Sequence, residues 1–129
     1  MPAAAPRYPC PCCGYLVFVG PPGGYEICPI CWWEDDAVQL RWPEYRGGAN
    51  GPSLIEAQQN YAVLGTSDPL LVAEVRPPHD EKRDPEWRPI KLSQDPIEPY
   101  PTDEPARGWP ADFTSLYYWR AGFWRRPEP

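Results

Sequence analysis

All five cysteines of this 129-residue chain, Cys10, Cys12, Cys13, Cys28 and Cys31, fall within 22 consecutive positions. They resolve into two units of one pattern, Cys10-Pro11-Cys12-Cys13 and Cys28-Pro29-Ile30-Cys31, with 14 residues between them. Two C-x-x-C pairs at this separation match the arrangement that holds structural zinc. The reason is local geometry. Thiolates three positions apart on a tight turn can face one ion while the N–H groups of the turn point at the sulfurs. Proline after the first cysteine pre-sets φ for that turn, and Gly14 can take the left-handed exit.

The residues between the pairs suit the same scheme. Tyr15-Leu16-Val17-Phe18-Val19 is β-branched and aromatic and reads as a strand. Gly20-Pro21-Pro22-Gly23-Gly24 is a turn, and Tyr25-Glu26-Ile27 can return as a second strand. The expected order is knuckle, strand, turn, strand, knuckle: a zinc-ribbon hairpin that brings both pairs to one end. Cys10, Cys13, Cys28 and Cys31 are the expected ligands of one structural Zn2+, tetrahedral, with Zn–S bonds of about 2.3 Å. Cys12 sits at an x position, where its side chain should turn away from the ion. It reads as a small buried thiol, with a redox duty beside the cluster as the alternative. A thioredoxin-like reading needs a βαβ pattern that is not visible here. Tetrahedral sulfur also suits iron, but the short hairpin and the expected reducing compartment favour zinc.

Composition limits what such a nucleus can do. Twenty-one prolines interrupt helices and central strands, while 14% aromatic residues is too rich for a disordered chain. A small folded nucleus with proline-stiffened chain over it is expected. The net charge of −6 argues against binding nucleic acid through phosphate contacts. Four thiolates on one divalent ion carry a charge of about −2, so metal binding moves the chain further that way. Arg120, Arg125 and Arg126, next to Trp119 and Trp124, are the nearest approach to a basic patch and read as a solvated face. No run reaches the roughly 20 apolar residues that cross a bilayer. The start, "MPAAAPRY", shows no apolar signal core, so the expected location is cytoplasmic and not membrane-bound.

Beyond the ribbon, Glu34-Asp35-Asp36 reads as a solvated turn, because consecutive side chains diverge. The only histidine, His79, has a polar, proline-flanked setting and reads as surface. Ser53-Leu54-Ile55-Glu56 is a capping box opening a helix over 53–64, with Leu54, Ala57, Tyr61 and Leu64 at helical spacing and Gly65 as the stop. A two-stranded hairpin alone buries too little, so this stripe should pack on it.

Taken together, Cys10-Pro11-Cys12-Cys13-Gly14, Tyr25-Glu26-Ile27-Cys28-Pro29-Ile30-Cys31, Trp33-Glu34-Asp35-Asp36, Gln39, Gly47-Gly48-Ala49-Asn50, Ser53-Leu54 and Glu56-Ala57 resemble the bacterial cysteine-rich CPCC family over Tyr8 to Gly65. The resemblance implies a small metal-binding module, carries no named activity, and makes Cys12 part of the family pattern. Trp32 stands where a generic zinc knuckle has glycine, which alters the expected turn.

The expected fold class is small α+β: a zinc-ribbon hairpin with a packed helix (8–65), a proline-rich extended segment (66–110), and an aromatic C-terminal element (111–126) docked on the core. Nine prolines among the 34 residues from Pro77 to Pro110 leave that stretch a choice between linker and belt. Asp68 to Ala73 suits a capped helical turn. The expected function is a non-catalytic protein-interaction module, because Trp, Tyr and Arg dominate such contacts and the charge favours a basic partner protein. The alternatives are a nucleic-acid-binding ribbon, disfavoured by charge, and thiol chemistry at Cys12. Four thiolate ligands leave no position for water, so an enzyme is not expected.

Overall fold

The computed structural model describes residues 7–100 and 108–125. The N-terminal 1–6, the stretch 101–107 of the proline-rich segment, and Arg126 of the arginine cluster lie outside the described residues.

The small α+β class holds. Strand β1 (Tyr8–Pro9) pairs antiparallel with β2 (Leu16–Phe18), with Tyr8 opposite Phe18 and Pro9 opposite Leu16. The first cysteine pair therefore lies in the loop of its own hairpin. Cys10 N–H donates to the Tyr15 carbonyl at 2.9 Å, and Gly14 N–H to the Cys10 carbonyl at 2.7 Å. Gly14 exits the turn at φ +83°, as its lack of a Cβ allows.

The expected pairing of Tyr15–Val19 with Tyr25–Ile27 does not form. A strand has two edges, and both edges of β2 are taken. On one side lies β1; on the other, Leu16 N–H donates to the Lys82 carbonyl and Asp84 N–H to the Gly14 carbonyl, both at 2.8 Å. Tyr15 bridges Arg83 between these bonds. Tyr25–Ile27 turns instead to the far side of the second pair, where Ile27 bridges Glu34 and Asp35 N–H donates to the Glu26 carbonyl at 2.8 Å. Closing a short loop costs less chain entropy than closing a long one, and each knuckle closes its own.

Glu34-Asp35-Asp36 is no solvated turn: Asp35 and Asp36 are buried. Asp36 caps α1 (Ala37–Arg41), accepting from the Val38 and Gln39 N–H groups. Helix α2 (Leu54–Leu64) starts at the expected capping box and stops at Gly65, φ +73°. Leu54 and Ala57 are fully buried, but Leu64 is exposed, so the stripe is shorter than its spacing suggests. Asp68 caps a 3-10 turn at Pro69–Leu71.

The proline-rich chain is a belt where it is described. It lays 82–84 along β2, and Trp87 Nε1 donates to the Pro11 carbonyl at 2.9 Å. Tyr118 OH donates to the Arg88 carbonyl, and Ile90 N–H to Gln58 Oε1. The C-terminal aromatics begin with a 3-10 turn at Phe113–Leu116. Leu116, Tyr117, Tyr118, Trp119 and Phe123 are buried in one cluster with the cysteines, Ile30, Trp33, Leu54 and Ala57. Among the described residues no helix is long and apolar enough to cross a membrane.

Candidate metal centre

Two hairpin loops, one from each C-x-x-C pair, place Cys10, Cys13, Cys28 and Cys31 together with all four Sγ atoms within 4.8 Å of one another. Cys10 Sγ lies 3.6 Å from Cys31 Sγ, and Cys13 Sγ 3.8 Å from Cys28 Sγ. The edge of a tetrahedron with Zn–S bonds near 2.3 Å is about 3.8 Å. The sulfurs thus sit near coordination distance without any change in the chain. All four are fully buried, and no disulfide joins them. The N–H groups of Ile30 and Cys31 point at Cys28 Sγ, at 3.4 and 3.5 Å. Such donors support a thiolate at the turn.

The thiols of the cluster perturb one another. Hydrogen bonds from Cys10, Cys13 and Cys31 hold the Cys28 thiol far below its ordinary range. Burial pushes Cys10 and Cys31 well up. Binding of a metal to such thiols would release the protons they still hold. Donor type, spacing and burial all fit a metal ion.

The supports come from outside the ribbon. The Pro11 carbonyl accepts from Gln58 Nε2 and Trp87 Nε1, each at 2.9 Å. The Cys13 carbonyl accepts from Arg83 Nε at 2.8 Å, and the Cys31 carbonyl from Ser67 N–H at 2.9 Å. Helix α2 and the belt therefore clamp the backbone of the first pair, and Ser67 holds that of the second. Gly14 packs so closely on Trp87 that a Cβ there would lie 2.5 Å from the indole.

Cys12 is fully buried, and burial raises its thiol pKa. It fills space in the core, away from solvent reagents. The carboxylates diverge as expected but into the interior. Asp36 Oδ1 caps α1 while Oδ2 accepts from Ala49 N–H at 2.9 Å. Among the described residues Asp35 Oδ2 has no hydrogen-bond partner, and burial, with Glu26 beside it, lifts the carboxyl to about 7 against the backbone hydrogen bonds of Gly24 and Gly23. His79 is exposed. Arg120 and Arg125 are drawn into ion pairs with Asp84 and Glu98, at 3.0 and 3.2 Å, so they form no basic patch.

A polar hub escaped sequence reasoning. Gln39 is fully buried, donating to the carbonyls of Tyr45, Asn50 and Pro52 and accepting from the Asn50 backbone and side chain. Asn50 in turn binds both the N–H and the carbonyl of Glu34, at 2.8 and 2.9 Å. The pair ties the loop at 47–52 to the second knuckle. A buried glutamine carries no periodic signal; its partners lie 6 to 13 positions downstream, beyond one helical turn.

No curated protein matches the chain. A family model described as Cysteine-rich CPCC matches residues 8–82, well past the end of α2 and into the belt that flanks β2. With both cysteine pairs, α2 and Ser67 inside that match, and only Arg83 and Trp87 of the clamp beyond it, the chain belongs to the cysteine-rich CPCC family.

Proposed function

We propose that Cys10, Cys13, Cys28 and Cys31 bind one zinc ion with a structural duty, and that the folded chain acts as a non-catalytic module that binds another protein. The observation that carries the zinc reading is the set of four buried sulfurs near tetrahedral separations. A full thiolate shell leaves no open position for water or substrate, which is the mark of a structural site. Zinc is favoured over iron because it needs no redox partner and has no geometric preference to violate.

The interaction reading rests on the charge of −6 and on apolar side chains that remain outside. Leu70 is 91% and Val63 81% exposed. Cys12, enclosed and with its thiol held protonated by burial, lacks the exposed thiolate that redox chemistry needs.

Elemental analysis with thiol counting tests the metal half. One zinc per chain and all five thiols protected until chelation unfolds the chain is the expected result; iron, or no metal, overturns it. Capture with tagged full-length protein, with and without zinc, tests the interaction half. Absence of a specific partner in either state removes that half and leaves the metal site untouched.

A further inference from the structure

Beside the second knuckle lies a cleft of about 240 Å³ that the metal site does not use. Trp32, Glu34, Ile27, Asn50, Asp68 and Leu71 line it. We propose that this cleft binds a cationic side chain, lysine or arginine, presented by a basic segment of a partner protein. The inference rests on the interaction reading above and names the chemistry that one part of its surface would recognise.

The cleft combines the parts such a side chain requires. Trp32 supplies an indole, whose face attracts a cation held over it. Glu34 and Asp68 supply carboxylates, and neither belongs to an ion pair among the described residues. Ile27 and Leu71 supply apolar surface for the aliphatic stem, which long cationic side chains bury while the head stays polar. Among the described residues no lysine or arginine lines the cleft. The charge of the whole chain, −6, favours approach of a basic partner.

The walls are also fixed in advance. Asn50 clamps the Glu34 backbone on both sides, and Gln39 holds Asn50. Asp68 uses Oδ1 to cap Leu70 N–H at 2.9 Å, which orients the carboxylate toward the loop at Gly51. Trp32 stands at φ +68°, a left-handed conformation that glycine would take more easily. The knuckle needs no side chain at this position, and the indole that occupies it forms part of the cleft wall.

Titration of the 15N-labelled, zinc-loaded full chain with N-acetyl-arginine methylamide and N-acetyl-lysine methylamide tests the proposal. The uncharged citrulline analogue and calcium chloride serve as controls. The expected result is saturable shifts confined to the amides of 27, 32, 34, 50, 68 and 71, with Kd on the order of millimolar for a single side chain. The citrulline analogue should give none, and the two cationic probes will rank lysine against arginine. Trp32→Gly removes the indole and suits the local backbone, so it should keep the fold and weaken binding about fivefold or more. Glu34→Gln combined with Asp68→Asn, which retains the capping oxygen, should abolish saturation. Shifts spread over all acidic residues, equal shifts with citrulline, or stronger shifts with calcium at the same amides would each overturn the proposal. A partner whose capture is unchanged by Trp32→Gly would sink the cleft while leaving the interaction reading intact. Failure to capture any partner bears on that reading alone, since the probe titration needs none.

Discussion

Single residues carry the sharpest consequences at the sulfur cluster. Replacing Cys13 or Cys28 with serine leaves three sulfurs, and removal of a ligand should cost both metal and fold. Zinc per chain should fall well below one, with loss of near-UV dichroism. Cys12→Ala should retain one zinc and lose roughly 1–2 kcal/mol in urea denaturation for the space vacated. Full metal loss on Cys12→Ala would instead make it a ligand. Asp35 gives a pH dependence of known sign. Its folded carboxyl sits at about 7, above the ordinary 3.8, chiefly through burial, with Glu26 adding to the effect. The folded state therefore holds the proton longer than the unfolded chain does, and stability is lost as pH rises toward 7. Asp35→Asn should stabilise the protein relative to the parent, by a difference that grows from about pH 4 to about pH 7 and then levels off. Comparing the two proteins under excess zinc separates this from the opposite slope of the thiols. A constant difference across that range would show that Asp35 is ionised throughout.

At the scale of elements, the two knuckles are alike in sequence but are held by different neighbours. The first is clamped by α2 and the belt, the second by the loop at 47–52 through Gln39 and Asn50. Gln39→Leu keeps the volume but leaves the carbonyls of Tyr45, Asn50 and Pro52 without their donor. Burying polar groups unpaired costs about 1–3 kcal/mol each, so the urea midpoint should fall substantially while zinc remains bound. Gly14→Ala should be at least as damaging, because φ +83° and the Trp87 ring both oppose a Cβ. An unchanged midpoint in either variant would contradict the packing described. By contrast, the capping box at Ser53 and Glu56 was legible from four residues, since both its partners lie within one turn.

For the molecule as a whole, the cysteines lie in the same core as the C-terminal aromatics, so metal and distant chain should be lost together. Structural zinc contributes about 10–16 kcal/mol of folding free energy in small modules, as much as the whole stability of an ordinary domain. Chelation should therefore unfold the chain cooperatively, with Trp119 and Trp33 emission shifting red in step with zinc release. A second closure holds the far end. The Arg41 guanidinium lies 4.4, 4.6 and 4.8 Å from the ring centroids of Trp42, Trp109 and Trp124, and its Nε donates to Glu98 at 2.7 Å. Glu98 is partly exposed and keeps Arg125 as a second partner, so truncating the buried Arg41 acts chiefly through packing lost among the three rings. Arg41→Ala should therefore lower the urea midpoint markedly without lowering zinc content, a split that ligand variants will not give.

The spacing of the cysteines, the turn residues around them and the cap of α2 were decided within short stretches of chain, so the sequence alone carried the clustering of four cysteines, the helix and the small α+β class. The strand pairing was not local. Which edge of β2 goes to which partner depended on Lys82 to Asp84, more than sixty positions downstream. The ring of tryptophans around Arg41 likewise arises from groups that meet only when the C-terminal segment closes over the core, while the hub at Gln39 and the partners of Asp36 need the loop at 47–52 folded back onto α1. Periodicity and turn chemistry act through neighbours along the chain. Buried polar satisfaction and edge pairing act through neighbours in space, and only the folded structure supplies those.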